Sequence, residues 1–227
     1  MVKRASLDFS AADSPITELV TKFGGQPVWL GEPQWPLSRA TGQPMLFIGQ
    51  VALAPELFGD TPSRMAYLFI TDDRDEYVDG TWEADSGENA VILQPGLPGV
   101  STQPLTIGPT LYDMRKVAGE PLLQPVPVEF AVQYRWCHDP VFVTEGERCT
   151  WPDDRSTSFG QQLDGNKVGG TPGFMQGDEF PGPGQWRLLL QLDAMQVPFY
   201  INFGDAGIGY AFLSEDGRTA KFLWQCA

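Results

Sequence analysis

Histidine occurs once in the 227 residues, at His138, and cysteine three times, at Cys137, Cys149 and Cys226. A Ser-His-Asp or Cys-His nucleophilic centre would have to use that one imidazole. Its neighbours Cys137 and Asp139 point away from it on an extended chain, so nucleophile and base would come from elsewhere. Cys137, His138 and Cys149, completed by Asp139, Glu145 or Glu147, make a conceivable zinc set, but the close C-x-x-C pair usual in structural zinc sites is missing. The expectation is therefore no metal and no cofactor. An odd, sparse set of cysteines argues against a disulfide framework and for reduced thiols. Basic residues are also scarce, 15 against 29 acidic, for a formal charge of −14. Such a surface repels phosphate backbones and anionic membranes and attracts a basic partner. No stretch approaches the roughly 18 apolar residues of a membrane span. The opening MVKRASLDFSAADSPITEL lacks the apolar centre of a secretory signal. A cytoplasmic protein is expected, binding neither nucleic acid nor membrane.

Turn formers and large apolar residues are abundant. Twenty-five glycines and twenty prolines separate short apolar runs, with 42% of residues hydrophobic, the texture of a mostly β protein. One short N-terminal helix is predicted over 14–23. Ser14 suits its N-cap and Pro15 its first turn, Ile16, Leu19, Val20 and Phe23 form an apolar stripe, and Lys22 meets the dipole at its end. Gly24 or Gly25 then closes it and Pro27 bars continuation. Strands are predicted over 44–51, 66–71, 90–93, 126–134, 187–192, 208–213 and 220–224. The run AYLFIT at 66–71 is apolar enough to be covered on both faces, and Asp216-Gly217 reads as a hairpin turn between the last two strands. Residues 95–125 and 144–185 read as long connections.

KFGGQPVWL at 22–30 returns as KVGGTPGFM at 167–175. Lys22, Gly24, Gly25 and Pro27 match Lys167, Gly169, Gly170 and Pro172. Further on, Gln50 in an apolar strand matches Gln191, and Tyr67 to Asp73 (YLFITDD) matches Tyr210 to Asp216 (YAFLSED). The offsets are 145, 141 and 143. Three blocks in one order at nearly one offset predict a single domain over 1–227, built of two pseudo-symmetric β-rich halves, roughly 15–94 and 160–225. The Gly-Gly-x-Pro motif then acts as a joint, since glycine pairs serve backbone geometry and neither copy carries the lysine-hydroxyl ending of a phosphate loop.

Gly24 to Pro27, Trp35-Pro36, Leu46 to Gln50, Lys167 to Pro172, Leu190 to Asp193 and Gly204 to Gly207 together resemble the YwqG-like proteins, a bacterial family long described as of unknown function. The resemblance runs from about residue 20 to the C-terminus and is weakest over 95–160. It implies one β-rich domain with internal pseudo-symmetry and supplies no catalytic residues. Members of that family lie beside toxin genes, and some resemble immunity proteins that bind and silence a toxin.

The densest charge lies in DDRDEYVDGTWEADSGE, 72–88, where eight acids face one base, Arg74. The acid spacing does not fit an EF-hand loop. As a solvated loop the segment needs no function; as an interaction surface it offers Asp72, Asp73, Asp75, Glu76, Asp79, Glu83, Asp85 and Glu88 as a steering rim around the anchors Tyr77 and Trp82. The expected function is a non-enzymatic immunity protein that neutralises a cognate toxin, a basic nuclease among the candidates, by occluding its active site. The alternatives are a carboxylate- or metal-dependent hydrolase using the cleft between the halves, and a small-molecule or glycan binder using exposed aromatics.

Overall fold

The computed structural model describes residues 1–72, 74, 77–96 and 98–227. In chain order the elements are β1 (Val2–Ala11), β2 (Lys22–Gly24), β3 (Trp35–Pro36), β4 (Leu46–Ala52), α1 (Pro55–Phe58), β5 (Met65–Ile70), β6 (Asn89–Gln94) and β7 (Thr102–Gln103). There follow β8 (Tyr112–Lys116), β9 (Leu123–Pro127), β10 (Glu129–Asp139), α2 (Glu145–Arg148), α3 (Asp153–Leu163), β11 (Lys167–Gly169), β12 (Trp186–Asp193), β13 (Ile208–Ser214) and β14 (Ala220–Gln225). Ten strands form one sheet in the order β14-β13-β12-β11-β1-β10-β2-β4-β5-β6. All of its pairings are antiparallel. Strand twist curls it until the edges β6 and β14 come within 8 Å, Cα to Cα, making a nearly closed barrel.

Side-chain alternation sorts the apolar residues into an interior and two outer layers. Ala66, Leu68 and Ile70 of β5 join Leu7, Ile48, Phe130, Leu190, Ala211 and Leu213 inside. The alternate residues Met65, Tyr67 and Phe69 face outward and are capped by Trp29 and Trp35. On the other flank Tyr210 and Phe212 face outward beneath Phe174 and Phe180. The run at 66–71 is thus buried on both faces, as its composition predicts.

The repeated residues fasten these covering segments. Gln50 Oε1 accepts from the Val28 amide at 2.8 Å, and Tyr67 Oη donates to the Val28 carbonyl at 2.8 Å. Gln191 Oε1 accepts from the Gly173 amide at 2.9 Å, and Tyr210 Oη donates to the Gly173 carbonyl at 2.8 Å. Gln94 and Gln225, a pair the sequence comparison missed, hold Gly31 and Met175 further along. Lys22 lies opposite Gln50, and Lys167 opposite Gln191. Gly24, Gly25, Gly169 and Gly170 all take positive φ, 64–85°, where the chain leaves the sheet for the covering segment. A side chain at Gly24 would collide with the Val128 carbonyl.

The predicted helix over 14–23 is not formed. Lys22 and Phe23 instead belong to β2, between β10 and β4, while Leu19 and Val20 are exposed. The apolar stripe has nothing to pack against, whereas β2 gains two ladders and buries Phe23 completely; tertiary pairing outweighs the local pattern. Among the described residues the helices are α1, α2 and α3. Both long connections hold structure: β7, β8 and β9 in one, and α2, α3 and β11 in the other. Strand β1, also unpredicted, pairs with β10 along its whole length.

Candidate protein-interaction surface

The acidic segment connects β5 to β6, and its base is tied firmly. Thr71 donates from its amide to the Glu88 carbonyl at 2.8 Å. The Glu88 carboxylate accepts from Ser38 Oγ (2.6 Å), Thr71 Oγ1 (2.7 Å) and the Ala40 amide (2.8 Å). Asn89 Nδ2 donates to the carbonyls of Thr81 and Glu83, and Ser86 Oγ to that of Gly80. Val78 is buried within the loop. Local bonds of this kind hold a loop in one shape without regular structure.

Among the described residues this scaffold displays most of the predicted surface and turns Glu88 inward. Asp72, Tyr77, Asp79, Glu83 and Asp85 are exposed. Tyr77 is 70% exposed, its hydroxyl donating to Asp79 Oδ1 at 3.0 Å. Trp82 is half-buried, edge-on to Trp224, and Asp85 pairs with Lys221 at 2.7 Å. Glu88 is turned inward, 3% exposed, and braces the base of the loop. Asp73, Asp75 and Glu76 lie outside the described residues.

Sequence reading gave no sign of three residues that the fold brings to the start of this segment: Tyr112, Tyr200 and Asn202. With Asp72, Thr81 and Ile201 they line a small cavity of about 20 Å³, room for a single water. The Tyr112 and Tyr200 rings are 6.0 Å apart. The Arg74 guanidinium lies over the Tyr112 ring at 4.8 Å, and 3.8 Å from Asp72. Beside the Arg74 side chain, the Tyr112 hydroxyl is buried. Burial, helped by the nearby Asp72 charge, pushes it up to about 12.

A second cluster sits on the outer face of β1 and β10. Lys167 Nζ donates to Asp139 Oδ2 (2.9 Å) and to the carbonyls of Leu163 (2.6 Å) and Thr171 (2.7 Å). Burial lowers the Lys167 ammonium to about 8, with Asp139 opposing the shift. Arg4 Nε lies 3.0 Å from Asp139 Oδ1 and 3.1 Å from Cys137 Sγ, the latter along its N–H. Burial raises the Cys137 thiol, but Ser6 and Arg4 more than offset this and hold it below its ordinary value. With all three of its donor directions filled, Lys167 anchors the β10 end to β11. The lone imidazole does not join this cluster: His138 is paired opposite Lys3 and Cys137 opposite Arg4, so they face opposite sides. Cys149 is exposed at the end of α2. Among the described residues no three His, Cys, Asp or Glu side chains group to hold a metal ion, and no helix is long and apolar enough to cross a membrane.

No curated protein matches the chain. Its sequence fits, over residues 21–222, the family described as a domain of unknown function, DUF1963, and the chain belongs to that family.

Proposed function

We propose that the chain is a non-enzymatic, cytoplasmic binding protein of the immunity type, which silences a basic protein toxin by covering its active site. The observation that carries this reading is the bracing of the acidic segment by Glu88 and Asn89. The braced stretch 77–89 exposes Tyr77, Asp79 and Glu83, so little ordering entropy is lost there on binding. Its negative field steers a basic partner into contact. A nuclease offers such a partner, because the groove that grips phosphates is itself basic. The resemblance to YwqG-like proteins supports the same assignment.

The matching bonds of Gln50 with Gln191 and of Tyr67 with Tyr210 support a further part of the reading, that two related halves flank β1 and β10. Duplication would make the barrel a scaffold, and the acidic loop an addition to one copy.

The test is titration of the purified chain against candidate basic toxins, read by complex formation and by loss of toxin activity. A stoichiometric complex that weakens steeply with salt supports the proposal. Turnover of a glycoside or ester by the chain alone, with no complex formed, supports the hydrolase reading instead.

A further inference from the structure

We infer that the β8–β9 hairpin is a dimerisation arm, and that β8 pairs antiparallel with β8 of a second copy about a two-fold axis at Met114. The hairpin forms a two-stranded sheet of its own, apart from the ten-stranded one. Such a unit is marginal in water and gains stability when further strands extend it. Its register sets which backbone groups are unused. Tyr112, Met114 and Lys116 stand opposite Pro127, Pro125 and Leu123, and a proline has no N–H to offer across the ladder. The hydrogen-bonded pairs are therefore the intervening ones, in phase with the Val128 amide, which donates to the Leu111 carbonyl at 3.0 Å. Tyr112, Met114 and Lys116 then turn their N–H and C=O groups to the outer edge of β8, where no further strand lies among the described residues. The outer edge of β9 is closed to strand addition by Pro125 and Pro127.

What fits the β8 edge follows from its sequence, YDMRK. Antiparallel pairing about Met114 sets Met114 opposite Met114, Asp113 opposite Arg115 and Tyr112 opposite Lys116 of the second copy. The unused groups at 112, 114 and 116 fall on the hydrogen-bonded pairs of that register, so the strand complements itself in both backbone and charge. Within one chain Asp113 and Arg115 lie 3.1 Å apart, each half exposed, and the two-fold joins both pairs into one cluster of four charges. On the opposite face exposed Met114 meets its symmetry mate, with exposed Leu123 flanking on each side. Two copies carrying −14 each repel over most of their surface, whereas 111–128 holds two acids and two bases. The arm is thus a place where they can approach. Because β9 is closed, assembly stops at two copies. The inference stands apart from the proposed function.

The test is sedimentation equilibrium of the full chain over a dilution series, where a monomer–dimer equilibrium with no larger species is expected. Met114→Pro removes an N–H that the hairpin itself does not use, and the two-fold loses it twice, so the dimer weakens about tenfold or more. Asp113→Arg and Arg115→Asp, at exposed positions, each set like charges opposite one another and abolish the dimer. Mixing these two variants restores it as a one-to-one heterodimer, because every arginine then faces an aspartate. A chain monomeric throughout, a dimer indifferent to Met114→Pro, or a mixture of the two folded charge variants that stays monomeric overturns the inference. An arm protected from amide exchange only when a basic toxin is bound overturns it as well, and assigns the arm to that partner.

Discussion

Lys167 Nζ lies 2.9 Å from Asp139 Oδ2, with neither side chain exposed. The other end of β10 carries the corresponding pair Lys22 and Glu129, where Glu129 keeps 13% of its side chain in solvent. A buried charge is tolerated only while its partner and hydrogen bonds remain in place, so the two pairs should respond differently to loss of a carboxylate.

Asp139→Asn strips the buried ammonium of its counter-ion and is expected to destabilise the fold by about 3–5 kcal/mol. Glu129→Gln should cost less, because water reaches that site. Urea midpoints of the two variants measure the difference, and equal losses would contradict the role of burial.

Stability should pass through a maximum near the alkaline end of the pH range. The Lys167 ammonium is lowered by burial from 10.5 to about 8, so between those values the unfolded chain holds a proton that the folded chain has released. Stability then rises with pH. Tyr67 and Tyr112 are raised by burial from 10.0 to about 12. Between those values the folded chain keeps protons that the unfolded chain loses, so stability falls. Denaturation midpoints taken from pH 8 to pH 12 should rise and then drop; a steady fall from pH 8 would refute the assignment to Lys167.

Gln50→Leu and Gln191→Leu remove equivalent fasteners from opposite flanks. Each leaves a covering-segment amide unpaired, at Val28 or Gly173, together with carbonyls held by the amide nitrogen. Each is expected to cost about 1–3 kcal/mol, with additive effects in the double variant. A large loss from one and none from the other, by thermal denaturation, would count against a duplicated scaffold.

The acidic loop separates bracing from display. Glu88→Ala removes the acceptor of three bonds and should lower stability and loosen the loop, seen as faster amide exchange over 77–88. Tyr77→Ala should leave the melting temperature unchanged and weaken the toxin complex by about 2 kcal/mol or more if the ring is an anchor. Asp79→Asn and Glu83→Gln should slow association and leave dissociation nearly unchanged, as rim charges do.

Local signals located most of the sheet. The apolar runs at 44–51, 66–71, 208–213 and 220–224 all lie on strands, and Gly217 takes the positive φ of a hairpin turn, 68°. The helix expected at 14–23 failed because Lys22 and Phe23 find partners more than a hundred residues away in β10, which no local window contains. Strand β1 was overlooked because its charged residues Lys3, Arg4 and Asp8 obscure the apolar alternation of Ala5, Leu7 and Phe9. Of the predicted surface, the exposed acids and Tyr77 were legible as charge and aromatic character. The inward turn of Glu88 was not, since nothing in DDRDEYVDGTWEADSGE marks which carboxylate meets Ser38 and Ala40.

By itself the sequence determined an acidic, turn-rich, mostly β chain with matching lysine, glutamine and tyrosine positions, because periodicity, glycine placement and charge are properties of neighbouring residues. Tertiary structure alone decided that Lys22 sits in a ladder, that Glu88 braces the base of the loop, and that Tyr112 and Tyr200 meet beside Asp72. Burial and pairing depend on what the rest of the chain lays over a residue, and here those partners come from strands and loops far apart in sequence.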